Sequence, residues 1–263
     1  MACAQLGLLV LLAAPWAPVV QPARHAWGDG GDSLRVPILV YHNVAVHHPG
    51  DTPEQRALDV SPETFAWQMA YLQQTGTSVI SLARLAAALE GRDTVPEHAV
   101  VLTFDDGWET QFIHVFPVLR RLGYTATFFV FTAPIGRGSG YMTWDELREL
   151  THGGMTVGSH SLSHPFLPRL HDPALIRREI AESREILEDS LGVPVEFFAY
   201  PYGAFSSALE GAVRDAGYRA ARSFPGGAWN GRENIWALRA VEVTEDPDAF
   251  RHAVGAEPVD AKR

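Results

Sequence analysis

Residues 100–107 have the sequence Val-Val-Leu-Thr-Phe-Asp-Asp-Gly, in which a run of strand-forming residues ends in two adjacent carboxylates and a glycine. Aspartate and glycine are common turn residues, so the segment alone is most simply explained as a strand that ends in a turn. Adjacent carboxylates also repel each other, and a shared site separates their pKa values. The pair therefore raises the question of whether Asp105 and Asp106 have different chemical tasks.

Short apolar segments alternate with helical segments on both sides of this stretch. The predicted strands include residues 36–41, 77–80, 99–104, 126–131, 155–158, 196–200, 218–221 and 237–243. The predicted helices include residues 64–74, 82–90, 112–122, 143–152, 173–191 and 206–216. This alternation predicts parallel strand pairing in a barrel or a doubly wound sheet, whose chemistry lies beyond the carboxyl ends of the strands.

Polar or aromatic clusters follow four of the predicted strands at this same end. They are Tyr41-His42, Asp105-Asp106-Gly107, the segment 159–165 (SHSLSHP) and the segment 200–203 (YPYG). Unrelated surface turns would not be expected to align in this way. The alignment predicts a functional site at one edge of the sheet.

His160 and His164 are spaced so that both can contact one metal ion if the segment turns helically. Two solvated histidines are the simpler alternative, and Pro165 disfavours helical geometry at His164. Joined with an aspartate from another strand end, the pair becomes an Asp-His-His set with open coordination positions, as in catalytic sites. One carboxylate would then bind the cation, and the other would accept a proton from water whose pKa the cation lowers from about 15.7 toward 7.

The chain has 263 residues and a formal net charge of −10. This charge argues against binding of nucleic acid through bulk electrostatics, but it permits a neutral or cationic polymer as partner. Cys3 is the only cysteine, so the sequence allows no intrachain disulfide.

An apolar run at residues 6–14 is too short to span a bilayer as a helix. It is typical of a secretory signal, although no lysine or arginine precedes it, and a disordered start is the alternative. We predict a signal peptide over residues 1–26, a linker over 27–35, a folded domain over 36–250 and a polar C-terminal tail over 251–263. Export and the lack of a stable membrane span in the mature chain follow as expectations.

Three segments resemble the first three motifs of the polysaccharide deacetylases, the carbohydrate esterase family 4 or NodB-homology group. They are TFDDG (103–107), HSLSH (160–164) and FAYPYG (198–203), and the opening VPILVYHNV (36–44) is similar to the poly-N-acetylglucosamine deacetylase subgroup. The resemblance covers residues 36–243. It implies an α/β fold, a distorted (β/α) barrel in a single domain, and hydrolysis of N-acetyl groups on an acetylated amino sugar polysaccharide.

The resemblance also implies roles for individual residues. Asp106, His160 and His164 would bind one divalent metal ion, and Asp105 would be the general base. Zinc fits these ligands, and nickel, cobalt and iron also accept them. The backbone N–H of Tyr202, which follows Pro201 in the third motif, would help to hold the oxyanion.

The chain departs from the family pattern at two places. Ala199 stands where many members carry an arginine that orients the base, and no Leu-x-His follows Tyr202 to supply a proton donor. We therefore name His42 as the candidate acid or substrate-positioning group, with a structural histidine as the alternative. Arg239 is the candidate for orienting Asp105, with a surface ion pair as the alternative.

Three other functions remain open at this point. An O-deacetylase of an acetylated polysaccharide differs mainly at the leaving-group step. A catalytically silent module that binds metal and glycan would explain the missing arginine and histidine. A glycosidase needs two carboxyl groups about 5–9.5 Å apart across the scissile bond, which adjacent aspartates fit badly.

Overall fold

The computed structural model describes residues 33–137 and 140–255. Its strands are β1 (Ser33–Arg35), β2 (Ile38–Tyr41), β3 (Asn43–Val44), β4 (Asp59–Val60), β5 (Ser78–Val79), β6 (Ala99–Phe104), β7 (Thr127–Val130), β8 (Thr156–Ser159), β9 (Phe197–Ala199), β10 (Ala220–Arg222), β11 (Trp229–Gly231) and β12 (Val241–Glu242). Its α-helices are α1 (Pro53–Leu58), α2 (Pro62–Gln74), α3 (Leu82–Leu89), α4 (Phe116–Leu122), α5 (Trp144–His152), α6 (Pro173–Arg177), α7 (Ser183–Leu191), α8 (Ser207–Asp215) and α9 (Pro247–Val254). Two π turns, Gln111–Val115 and Arg178–Glu182, directly precede α4 and α7.

The main sheet has eight strands and is parallel throughout. Its order is β10-β9-β8-β7-β6-β2-β12, and β5 also pairs with β6. The segment that leads into β12 contacts both ends of this order, because Leu238 bridges Arg222 in β10 while β12 pairs with β2. The sheet therefore curls into the distorted (β/α) barrel that the sequence analysis predicted.

Alternate residues of β2, β6, β7 and β9 pack into two different apolar clusters. In β6, Val100, Leu102 and Phe104 belong to the cluster under α2, α4, α5 and α7. Ala99 and Val101 belong to the other cluster, which includes α3. Because the side-chain period of a strand is two, the next residue on the α3 side beyond β6 is Asp105.

The predicted helix starts are confirmed by their caps. Ser61 accepts a hydrogen bond from the N–H of Thr64, and Asp172 accepts one from Ala174. Thr143 and Glu146 form the predicted capping box at α5.

The predicted helix over residues 173–191 is continuous but contains a π turn, so α6 and α7 are two parts of one helical segment.

The folded region extends beyond both predicted ends of the domain, residues 36 and 250. Residues 33–35, predicted as part of a linker, form β1 and pair with β11. Residues 251–254, predicted as part of a polar tail, continue α9, because Phe250 and Val254 are buried. The predicted signal peptide over residues 1–26 and the tail from residue 256 onward lie outside the described residues. Within those described, no helix is both long and apolar enough to cross a membrane.

Candidate active site

The parallel sheet brings the four predicted clusters to one edge. His42 follows β2, the aspartate pair follows β6, His160 follows β8 and Tyr202 lies in the turn after β9. All these strands run in the same direction, so their carboxyl ends meet at the same side of the barrel. Residues far apart in sequence are thereby able to form one site.

Asp106, His160 and His164 offer ligand atoms that lie within 4.8 Å of one another. The two histidine Nε2 atoms are 3.2 Å apart. Asp106 Oδ1 lies 3.5 Å from Nε2 of His164 and 3.8 Å from Nε2 of His160. Ligands held about 2.1 Å from one tetrahedral ion are separated by about 3.4 Å, so this spacing suits a single cation.

The proton position on His160 follows from its other ring nitrogen. Nδ1 lies 2.8 Å from the carbonyl oxygen of Ala199, which can only accept a hydrogen bond. Nδ1 therefore carries the proton, and Nε2 keeps a free lone pair. Burial lowers the pKa of His160 to about 4, although Asp105 and Asp106 oppose the shift. Burial likewise lowers the pKa of His164, so both rings are neutral at pH 7 and can act as ligands.

The backbone and a neighbouring indole fix the carboxylate of Asp106. Trp108 Nε1 donates a hydrogen bond to Oδ2 at 3.2 Å, which leaves Oδ1 near the histidines. Asp106 and Gly107 both have left-handed backbone conformations, with φ of 74° and 80°. A Cβ at position 107 would lie 2.9 Å from Cγ1 of Val130, so the turn requires glycine there for two reasons.

Asp105 is buried in an ion pair with Arg222. Arg222, the last residue of β10, donates from Nη2 to Oδ2 of Asp105. The two side chains are 1% and 5% exposed, and the guanidinium lies 5.2 Å from the centre of the Phe129 ring. Arg222 lies in β10, at one end of the strand order, and orients the candidate base that follows β6.

Arg239 does not have the role that the sequence analysis predicted for it. Its side chain is exposed, and its Nη1 atom lies 3.5 Å from the carbonyl oxygen of Trp229. Neighbouring residues of an extended chain point to opposite sides, so the burial of Leu238 turns Arg239 outward. The residue that orients Asp105 is Arg222.

The two oxygens of Asp105 have different surroundings. Burial by itself raises the pKa of Asp105, but the positive charge of Arg222, together with smaller effects of His160, His42 and the Arg222 hydrogen bond, holds the pKa below its ordinary value. Asp105 is therefore ionised at neutral pH. Oδ2 is bound to Arg222, whereas Oδ1 is buried without a hydrogen-bond partner among the described residues. A carboxylate fixed at one oxygen and open at the other is suited to accept a proton.

Backbone strain is concentrated at this edge. Across residues 33–137 and 140–255, the non-glycine residues with positive φ are Asp106, Ser161, His164 and Tyr202. All four lie in the segments that the sequence analysis singled out. Such conformations cost about 1–3 kcal/mol each and persist where surrounding contacts enforce them, which is common at functional sites.

A buried glutamine that the sequence analysis did not identify joins two of the site segments. Gln111 Nε2 donates to the carbonyl oxygens of His42 at 2.7 Å and of Asp105 at 2.5 Å. Gln111 begins a π turn in a region that was predicted as a regular helix over residues 112–122. π turns within helices are frequent at functional sites. The arrangement fixes the end of β2 relative to the end of β6.

The remaining predicted residues lie at the same edge. His42 is half-buried, and its positive charge when protonated lowers the pKa of both Asp105 and His164. The Tyr202 ring is 63% exposed, and its centre lies 4.7 Å from that of the His164 ring. Pro201, immediately before it, is buried. His42 and Tyr202 are therefore accessible to a substrate at this edge, whereas Pro201 packs inside the protein beneath the turn that carries Tyr202.

Known proteins with similar sequences are deacetylases by name. A sequence model of the polysaccharide deacetylase family matches residues 92–221. The Bacillus subtilis protein YxkH, whose name describes it as a polysaccharide deacetylase, is 25% identical over 231 residues. The match covers 88% of this chain and 78% of YxkH. The poly-beta-1,6-N-acetyl-D-glucosamine N-deacetylase of Staphylococcus aureus strain MRSA252 is 22% identical over 236 residues, covering 82% of this chain and 80% of the relative.

Solved structures share the same fold. IcaB from Ammonifex degensii is 25% identical and superimposes with a TM-score of 0.73, over 88% of this chain and 98% of IcaB. The Streptococcus pyogenes deacetylase PplD, solved in complex with acetate, gives a TM-score of 0.78 at 23% identity, over 84% of this chain and 98% of PplD. The family match, the relatives and the fold agree with the motifs around Asp105 and His160. The chain belongs to the polysaccharide deacetylase family of hydrolases.

Proposed function

We propose that this protein removes N-acetyl groups from an N-acetylglucosamine-containing polysaccharide and that it needs a divalent cation for this reaction. The observation that carries the proposal is the division of the adjacent carboxylates. The ligand atoms of Asp106, His160 and His164 lie within 4.8 Å of one another, so all three can contact one cation. Asp105 is paired with Arg222 through Oδ2, and its Oδ1 has no hydrogen-bond partner among the described residues. The similarity to an N-deacetylase of poly-beta-1,6-N-acetyl-D-glucosamine supports the choice of substrate class.

The donor set fits the cation. It combines one carboxylate with two neutral imidazoles, which suits zinc and is also accepted by nickel, cobalt and iron. When bound, a divalent cation would polarise the acetyl carbonyl and lower the pKa of a water molecule beside it.

The residues of the chain then have separate tasks in the hydrolysis. Asp105 accepts a proton at Oδ1 from the water that attacks the acetyl carbonyl carbon. The backbone N–H of Tyr202 stabilises the negative charge that develops on the carbonyl oxygen. His42 donates a proton to the sugar nitrogen as the C–N bond breaks, because an amine leaves poorly without one. The products are acetate and a free amino sugar.

Acetate release from N-acetylglucosamine oligomers tests the proposal. We expect each turnover to add one free amine and to lower the oligomer mass by one acetyl group, as measured by mass spectrometry. Treatment with a chelator should abolish release, because the attacking water is no longer activated once the cation is removed. Added zinc, nickel, cobalt or iron should restore release.

A parallel panel of O-acetylated oligosaccharides separates the nearest alternative. Faster release from these substrates than from N-acetylglucosamine oligomers would contradict N-deacetylation and favour an O-deacetylase. Binding of metal and glycan without acetate release from any substrate would contradict the enzymatic proposal altogether.

Replacing His42 by glutamine is expected to lower kcat for N-acetyl substrates by about 10²-fold or more, because the leaving amine loses its proton donor. An aryl acetate has a leaving group that needs no proton, so its hydrolysis should change only a few-fold. The ratio of the two rates is the measurement. The exposed His48 provides the control as His48→Gln. Equal losses on both substrates would assign His42 to positioning of the substrate.

The proposal includes export of the chain. It rests on the apolar run at residues 6–14 and on the expectation that an acetylated polysaccharide lies outside the cytoplasm. N-terminal sequencing of the secreted protein tests it, with cleavage expected between Ala17 and Ala26, whereas an uncleaved chain retained in the cytoplasm would contradict it.

A further inference from the structure

Glu179 is a buried carboxylate whose hydrogen bonds all lead to the histidine segment. Only 9% of Glu179 is exposed. Oε2 accepts hydrogen bonds from the backbone N–H groups of Leu162 at 3.1 Å and Ser163 at 2.9 Å. Oε1 accepts a third from the Ser163 hydroxyl at 2.7 Å. These contacts cross from the helical segment 173–191 to the loop between the two histidine ligands.

That loop has a conformation that needs external support. Ser161 and His164 have φ values of 71° and 60°, in the region that residues other than glycine avoid. Within the loop, the Ser161 hydroxyl accepts a hydrogen bond from the N–H of His164 at 3.0 Å. This single bond closes the loop but does not attach it to the rest of the barrel. The contacts of Glu179 attach it to the helical segment 173–191. The backbone N–H groups of Thr132 and Ala133 attach it to the segment after β7, because they donate to the carbonyl oxygens of Ser161 and Leu162 at 3.3 and 2.8 Å.

The backbone of the loop forms a small anion-binding concavity. The successive N–H groups of Leu162 and Ser163 converge on one oxygen, which is the arrangement that proteins use to bind anions. Here the anion is the carboxylate of Glu179. Hydrogen bonds to an ionised acceptor are about twice as strong as neutral ones, so they can maintain a strained backbone.

The π turn at Arg178–Glu182 places Glu179 on the inner side of the helix. Ser183, at the start of α7, faces the same way and is fully buried. Its hydroxyl lies 2.8 Å from that of Ser159, the last residue of β8. Glu182, in the same π turn, is directed outward and lies near Arg177 and Arg178. The helical segment thus contacts the base of the histidine loop through Ser183 and its tip through Glu179.

We propose that Glu179 is a positioning residue for the metal centre, which sets the distance between His160 and His164 through the loop that joins them. It touches neither ligand directly. The inference rests on the cation site of the proposed function. Groups that hydrogen-bond to metal ligands commonly change metal affinity by about 10–100-fold when they are removed. Glu179 acts instead on the backbone of Leu162 and Ser163, which lie between the two histidines.

Metal affinity of the full chain, without substrate, tests the inference. Zn²⁺ is titrated into the metal-free protein in competition with a chromogenic chelator. Glu179→Gln should weaken Zn²⁺ binding by about 10–100-fold, because glutamine lacks the charge that holds the loop. Glu182→Gln makes the same chemical change in the same π turn and should leave the affinity unchanged. The rise in Tm on adding Zn²⁺ should shrink in Glu179→Gln only.

The outcomes separate failure of the Glu179 inference from failure of the proposed metal site. If the wild type binds Zn²⁺ and Glu179→Gln binds it equally well, Glu179 is only structural and the inference is overturned. If the wild type binds no divalent cation, the metal site of the proposed function is contradicted, and the inference with it. If Glu179→Gln does not fold, Ser163→Ala decides. It removes one of the three bonds and should weaken Zn²⁺ binding several-fold, whereas unchanged binding would overturn the inference.

Discussion

Replacing Asp105 by asparagine is expected to lower kcat/KM for acetate release by about 10²–10⁴-fold, the usual contribution of a positioned general base. Asparagine keeps an oxygen that can accept the hydrogen bond of Arg222, but it cannot take up a proton at the position of Oδ1. The measurement is kcat/KM on N-acetylglucosamine oligomers, well below the Tm of the variant. Because Arg222 is left without a counter-charge, that Tm is expected to fall.

Two controls accompany this experiment. Circular dichroism establishes that the variant is folded at the assay temperature. Asp93→Asn removes an exposed carboxylate and should leave kcat/KM unchanged. Activity of Asp105→Asn within tenfold of the wild type would show that Asp105 is not the base.

Replacing Arg222 by methionine is expected to lower the free energy of unfolding by about 3–5 kcal/mol, because an unpaired carboxylate is left in the barrel. The same change at Arg177, whose side chain is 62% exposed beside Glu182 and Glu185, should cost only about 0–1 kcal/mol. Urea unfolding of both variants provides the comparison. In an Asp105→Asn background, Arg222→Met should cost much less, and an equal cost in both backgrounds would contradict the ion pair.

The same variant should change the pH dependence of the reaction. Burial alone raises the pKa of Asp105, and Arg222 is the main group that lowers it. With Arg222 present, Asp105 ionises below the ordinary aspartate pKa of about 3.9, so its contribution to stability holds above that value and is lost as the pH falls through the lowered pKa. Without Arg222, the acid limb of kcat/KM should move to higher pH. An unchanged acid limb would show that Arg222 does not set the ionisation of Asp105.

The parts of the site that could be predicted from sequence are those with a local signal. Strand and helix alternation located the carboxyl ends of the strands, where the aspartate pair, His160 and His164 lie. The resemblance to the family then made Asp106 the candidate metal ligand of the pair. The caps at Ser61, Thr143 and Asp172 were also visible, because a helix start is determined by a few consecutive residues.

Arg222 was missed although a comparable signal existed. The predicted strand over residues 218–221 ends directly before it, so the strand-end criterion that identified the aspartates would also have selected this arginine. Its partner Asp105 is 117 residues away, and only the barrel brings the two together. Arg239 is the sequence candidate in place of the arginine that the third motif lacks, and its outward direction follows from pairing that the local pattern does not contain.

Gln111 and Glu179 had no comparable signal. Each lies in a π turn, where the inserted residue shifts the helical register that a 3.6-residue period assumes. Which side of a helix such a residue occupies is decided by the packing against the barrel. Both residues act on the site through backbone groups of other segments, so their own chemistry does not distinguish them from surface residues.

The central claim is that the adjacent carboxylates have different tasks, and one paired measurement tests it most directly. Zn²⁺ is titrated into metal-free Asp105→Asn and Asp106→Asn, and acetate release is measured on the same samples. We predict that Asp106→Asn loses both cation binding and turnover, whereas Asp105→Asn keeps cation binding and loses turnover. Full turnover in Asp106→Asn, or loss of cation binding in a folded Asp105→Asn, would contradict the account.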